Sequence, residues 1–88
     1  MRWDIVWSFP AEWMLKAIPF RQAERVDASV QRFARTGIGN IERMGESLRH
    51  LRLHVPPFVL HLELDPESEI LRVWSIRRRG SEAPPEQG

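Results

Sequence analysis

The sequence predicts an α+β fold: a small single domain of order β-α-α-β-β-β, with a mostly antiparallel four-stranded sheet and a helical hairpin on one face. Three observations carry this. Aromatic and β-branched residues alternate with period two over residues 3–8. Apolar residues recur at spacings of three and four over 20–35. Three alternating runs then follow between 48 and 76, separated by proline-containing turns. The domain is expected to span 1–79, and 80–88, with two prolines and no large apolar residue, reads as a disordered polar tail.

Each element has its own signal. Trp3, Ile5 and Trp7 alternate with Asp4, Val6 and Ser8, as in a half-buried strand. Ser8 offers a hydroxyl to cap the helix that follows, and Pro10 lies in its first turn, where the missing N–H costs nothing. Ala11, Leu15 and Ile18 share one face of this short helix, and Pro19 ends it or starts the next. Phe20, Ala23, Val26, Val30, Phe33 and Ala34 form the apolar face of the second helix, with Arg21, Glu24, Arg25, Gln31, Arg32 and Arg35 opposite and Gly37 as its stop. Residues 37–47, with three glycines, read as a loop.

Leu51, Leu53 and Val55 then alternate with Arg52 and His54, and Pro56-Pro57 marks a turn or sheet rim. Leu60, Leu62 and Leu64 stand opposite Val59, His61 and Glu63 in the next strand. Residues 65–68 form a hairpin turn, and 70–76 the last strand. Trp3, Trp7 and Trp74 alternate inward and read as core.

Composition sets the limits on function. Eighty-eight residues make one domain, and the 42% apolar and 28% charged shares are those of an ordinary globular chain. Without cysteine there is no disulfide scaffold, thiolate metal site or cysteine nucleophile. No apolar run approaches the roughly 20 residues of a membrane span, and the N-terminus lacks a charged-then-apolar export signal, so a cytoplasmic location without a membrane partner is expected. The net charge of +1 hides segmental polarity: residues 21–53 carry seven arginines against four acids, 54–69 four acids and no Lys or Arg, and 70–79 four arginines. Of the 13 basic residues all but Lys16 are arginine, whose planar fork suits phosphate or carboxylate.

The residues also carry a family resemblance. Trp7-Ser8 followed by Ala11 and Leu15, Ile18-Pro19 at the helix break, Arg25-Val26-Asp27-Ala28 and Arg32-Phe33-Ala34 on the second helix come first. Leu51-Arg52-Leu53-His54-Val55, Phe58, Leu64-Asp65 and Val73-Trp74-Ser75-Ile76-Arg77-Arg78-Arg79 complete the pattern in order and spacing. In these the chain resembles the RelE/ParE superfamily, toxins of bacterial type II toxin–antitoxin modules. The resemblance implies a toxin held silent by a cognate antitoxin, as a toxin–antitoxin hetero-oligomer. Members like RelE bind the ribosome and cut mRNA without a metal; members like ParE poison DNA gyrase.

Carried over residue by residue, the resemblance makes Arg52, Arg79 and His50 the catalytic candidates. The charge pattern itself makes Arg49, His54, Arg77 and Arg78 the RNA-binding candidates, in a cationic patch that suits either RNA or an acidic antitoxin segment. The catalytic set is incomplete. Val59 stands where a strand arginine would grip the phosphate, Pro56-Pro57 replaces a Gly-Asp turn, and no tyrosine is present. His50, His54 and His61 leave a histidine-based variant open. RNA cleavage needs a base for the 2′-hydroxyl, cations for the pentavalent phosphate and an acid for the leaving oxygen. Arg49, Arg52, His54, Arg77 and Arg79 are therefore expected to converge on one concave side. No cofactor is expected, and no metal: His50 and His54 would lie about 13 Å apart along a strand.

Two function classes stay open, a ribosome-dependent mRNA endonuclease and a non-catalytic binding protein. The partner surface has its own candidates. Trp13, Met14 and Ala17 fall off the core face of the first helix and are expected to dock the antitoxin or a second copy of the chain. The competing arrangement folds Trp13 over the second helix onto Arg21 or Arg25.

Overall fold

The computed structural model describes residues 2–80; of the tail expected over 80–88, all but residue 80 lies outside the described residues. The element order is β1 (Asp4–Trp7), α1 (Phe9–Ala17), α2 (Phe20–Thr36), β2 (Ile41–Arg43), β3 (His50–Val55), β4 (Phe58–Asp65) and β5 (Ile70–Arg78). The strands form one five-stranded sheet in the order β1-β5-β4-β3-β2. β1 runs parallel to β5 and every other pair is antiparallel.

The helices begin and end where their side chains dictate. Ser8 Oγ accepts a hydrogen bond from the Ala11 amide at 3.1 Å, satisfying one of the free N–H groups at the start of α1. Gly37, at φ 75°, closes α2 in the left-handed conformation, and its amide donates to the Phe33 carbonyl at 2.8 Å. At the β4–β5 turn, Asp65 Oδ1 accepts from the amides of Glu67 and Ser68.

The core is the layer between helices and sheet. Ala11, Val26, Val30 and Phe33 meet Leu53, Val55, Phe58, Leu60, Leu62, Leu71, Val73 and Ile76, all buried, with Trp3, Ile5, Trp7, Leu15 and Ile18 packed at the margin. Strand alternation therefore commits one face of the sheet to the core, and among the described residues no helix covers the other.

The structure departs from the sequence reading in three places. The sheet has five strands rather than four: Ile41–Arg43, read as loop, pairs with Leu51, Arg52 and Leu53 of β3. This edge strand contributes one apolar side chain, Ile41, so its pairing rests on backbone hydrogen bonds. Phe20 is 75% exposed instead of completing the α2 face, because at about 100° per residue it lies roughly a quarter-turn off the Val26–Val30–Phe33 stripe. Trp74 does not point into the core. His61 faces Ser75 and Leu62 faces Val73, so Trp74 is the extra residue of a β-bulge and turns to the open face.

Candidate functional site

Strand alternation places His50, Arg52 and His54 of β3, Val59, His61 and Glu63 of β4, and Arg72, Ser75 and Arg77 of β5 on the open face. Register then sets neighbours: Glu42, Arg52, His61 and Ser75 form one row across four strands, and His54, Val59 and Arg77 the next. Two adjoining depressions result. One of about 380 Å³ is lined by Met44, Arg52, Val59, His61, Ser75 and Arg77. The other, about 290 Å³, is lined by Glu42, Arg52, His54, Val59, Arg77 and Arg79. Arg52, Val59 and Arg77 belong to both.

The charges are unevenly satisfied. Glu42 Oε1 lies 3.0 Å from His54 Nε2 and Oε2 lies 3.9 Å from the Arg52 guanidinium. The hydrogen bond from His54 chiefly holds the Glu42 carboxyl below its ordinary range; desolvation opposes it, and the charges of Arg52 and His54 add smaller downward pulls. Arg77 and Arg79 have no ion pair with a described residue. The depressions therefore keep cationic charge that the fold does not consume.

His50 Nδ1 and His61 Nε2 are 2.9 Å apart, so one ring N–H donates to the lone pair of the other. Partial burial pushes the His61 pKa down, and the nearby charges of His50, Arg52 and Arg77 add to this against the pull of Glu63. At neutral pH His61 is a neutral imidazole able to accept a proton. Titration followed by imidazole NMR is expected to place the His61 midpoint below the ordinary 6.5, and His50→Ala to move it back up by removing a like charge. A midpoint at or above 6.5 in the unsubstituted chain would contradict this. The sign for stability follows: the contribution of neutral His61 is complete above about pH 6.5 and is lost as pH falls through its depressed value.

Four residues singled out by sequence, Arg52, His54, Arg77 and Arg79, line the depressions. His50 stands on the same face, one pair further along β3, joined to His61. Arg49 and Arg78 are not brought there. Arg49 has the opposite phase from His50, and its carbonyl accepts from the amide of Leu64, a core-side residue. Arg78 lies on the helix side, its guanidinium carbon 5.0 Å from the centre of the Phe58 ring. Glu42, Met44 and Ser75 complete the site without having been singled out, and His61, named from sequence only as one of three histidines open to a catalytic variant, lines it as well. Among the described residues no three His, Asp or Glu side chains are placed to share a metal ion.

On the far side of the molecule, α1 exposes Trp13 (70%) and Met14 (38%), and Trp13, Lys16 and Ala17 line a shallow depression of about 250 Å³. The Phe9 and Trp13 rings stack at 6.2 Å with planes 10° apart. Trp13 is thus not folded over α2, and Arg25 instead donates to the Pro56 carbonyl at 2.8 Å.

No protein-family model and no curated protein matches the sequence. Solved structures do match. A chain of the archaeal RelE–RelB complex from Pyrococcus horikoshii OT3 superposes with a TM-score of 0.79 at 8% identity, over 92% of this chain and 99% of that one. A chain of the RelB–RelE antitoxin–toxin complex from Methanococcus jannaschii gives 0.70 at 12% identity, over 86% and 92%. The YoeB dimer from Staphylococcus aureus gives 0.69 at 16% identity, over 90% and 99%. Among the described residues no helix is long and apolar enough to cross a membrane. At these identities the likeness is one of architecture, and the architecture is the RelE-type toxin fold.

Proposed function

We propose that the chain is the toxin of a type II toxin–antitoxin module, silenced by a cognate antitoxin and arresting growth by engaging ribosome-associated mRNA with the open face of its sheet. The supporting observation is the convergence of Arg52, Arg77 and Arg79 beside the His50–His61 pair, on a fold otherwise found in RelE–RelB complexes. Neutral His61 takes the 2′-hydroxyl proton, O2′ attacks the adjacent phosphorus to give a 2′,3′-cyclic phosphate, and the P–O5′ bond breaks as O5′ takes a proton from solvent water, the proton on His61 then returning to solvent. Arg52 and Arg77 flank the phosphate, offsetting the charge of the pentavalent state. With Val59 in place of a strand arginine, that work falls to Arg77 directly across from it.

Val59 at the centre of the floor and the absence of tyrosine favour a second reading. In it the chain is a non-catalytic toxin of ParE type acting on DNA gyrase, or a diverged member that chiefly binds its antitoxin. Induced expression separates the two. Growth arrest relieved by the protein encoded next to this one, with new 5′ ends mapped in mRNA, supports the first. Arrest with intact transcripts and broken chromosomal DNA would assign gyrase.

Cleavage is expected to be slow, since losing one charge-assisted phosphate contact typically costs about 10²- to 10³-fold. EDTA is expected to leave its rate unchanged. Fast cleavage of free RNA abolished by chelation would contradict both expectations.

A further inference from the structure

We propose that Trp74 is a stacking platform for one unpaired nucleobase, extending the cationic depressions along β5; the proposal rests on the reading of this face as an RNA surface. The bulge opposite His61 and Leu62 is what makes this available. It turns two consecutive residues, Trp74 and Ser75, to the open face, and Ser75 lines the same depression as Arg52, His61 and Arg77. Trp74 lies three residues before Arg77, about 10 Å along the strand. A base attached to a phosphate held at Arg77 reaches that distance through its own sugar or its neighbour's.

The indole is held in place before any ligand arrives. Its Nε1–H donates to Glu63 Oε1 at 2.7 Å, the same carboxylate pairs with Arg72 at 3.5 Å, and the Arg72 guanidinium lies over the ring, 5.6 Å from its centre. The one polar group of the indole, its N–H, is thereby satisfied, and Trp74 stays 41% exposed. A fixed aromatic ring loses little side-chain entropy on binding, and stacking accepts any base because every base has a π-face. With Arg72 on one side, the incoming base takes the other, completing a guanidinium–indole–base stack. The β1 end holds the bulge itself: Ser8 Oγ donates to the Trp74 carbonyl at 2.6 Å, and the Ser8 amide to the Val73 carbonyl at 2.9 Å.

The test compares two fluorescein-labelled ligands on the full chain by anisotropy: an eight-nucleotide oligoadenylate and an abasic ribose-phosphate strand of the same length. The unsubstituted protein is expected to prefer the oligoadenylate. Trp74→Ala is expected to lose about tenfold in affinity for it and little for the abasic strand, with an unchanged salt slope. Trp74→Phe is expected to keep most of the affinity, because a ring remains although the bond to Glu63 is gone. Equal losses on both ligands, or loss in Trp74→Phe matching that in Trp74→Ala, would make Trp74 a structural anchor for Glu63 and overturn the proposal. Unchanged oligoadenylate affinity in Trp74→Ala, with Arg77→Glu abolishing binding of both ligands, would overturn the stacking role alone. No binding of either ligand by the unsubstituted protein would remove the RNA reading and the platform with it.

Discussion

Arg77→Glu is expected to reduce single-stranded RNA affinity, and any cleavage rate, by at least about 100-fold. Arg77 is the cation best placed to dominate. It belongs to both depressions, faces Val59 across the β4–β5 pair, and has no ion pair with a described residue. Arg52 shares both depressions but stands 3.9 Å from the Glu42 carboxylate, which neutralises part of its field. Arg77→Ala removes one phosphate contact, so the dependence of log affinity on log salt is expected to flatten by about 0.7. The neighbouring Arg78→Ala supplies the control, since Arg78 lies over Phe58 on the helix side. Equal sensitivity at 77 and 78 would mean that general positive charge, and not this face, binds RNA.

That contrast also measures what the sequence could and could not disclose. Period-two alternation alone separates Arg77 and Arg79 from Arg78, and Arg52 from Arg49, once the strand is extended past Ile76 to Arg78. The set expected to converge on one side already omits Arg78, but it keeps Arg49, which the same alternation places out of phase with Arg52. The core was legible because Leu51 to Val55, Phe58 to Leu64 and the α2 stripe repeat with clean periods over several residues.

Register was not legible, and the chemistry of the site depends on it. That His61 is a half-buried strand residue is visible in the alternation of Val59, His61 and Glu63 with Leu60, Leu62 and Leu64. That it sits opposite Arg52 and within 2.9 Å of His50 depends on how β3 pairs with β4 across Pro56-Pro57. The bulge is a second case. One extra residue reverses the phase of β5 at Trp74, and nothing in Val73-Trp74-Ser75 distinguishes such a point from uninterrupted alternation. β2 is a third, with a single apolar residue over three positions and a glycine two residues before it. It supplies Glu42, the one carboxylate among the described residues that line either depression.

Trp13→Ala is expected to weaken antitoxin binding by at least about 2 kcal/mol, close to 30-fold, while leaving the melting temperature of the free chain nearly unchanged. The two halves of this expectation have one cause. Trp13 is 70% exposed and Phe9, stacked against it, 77%, so the isolated fold gains little from either side chain. A partner that covers them gains their full apolar area, at about 25 cal/mol per Å² before the costs of association. Met14 and Ala17 extend the strip along α1, and Lys16 stands beside Trp13 and Ala17 at the same depression. An amphipathic antitoxin segment with apolar anchors and an acidic residue facing Lys16 fits that chemistry. Trp13→Phe retains a ring able to stack on Phe9 and is expected to recover part of the loss. Unchanged affinity in Trp13→Ala, accompanied by a lower melting temperature, would return Trp13 to the fold and leave the antitoxin to bind elsewhere.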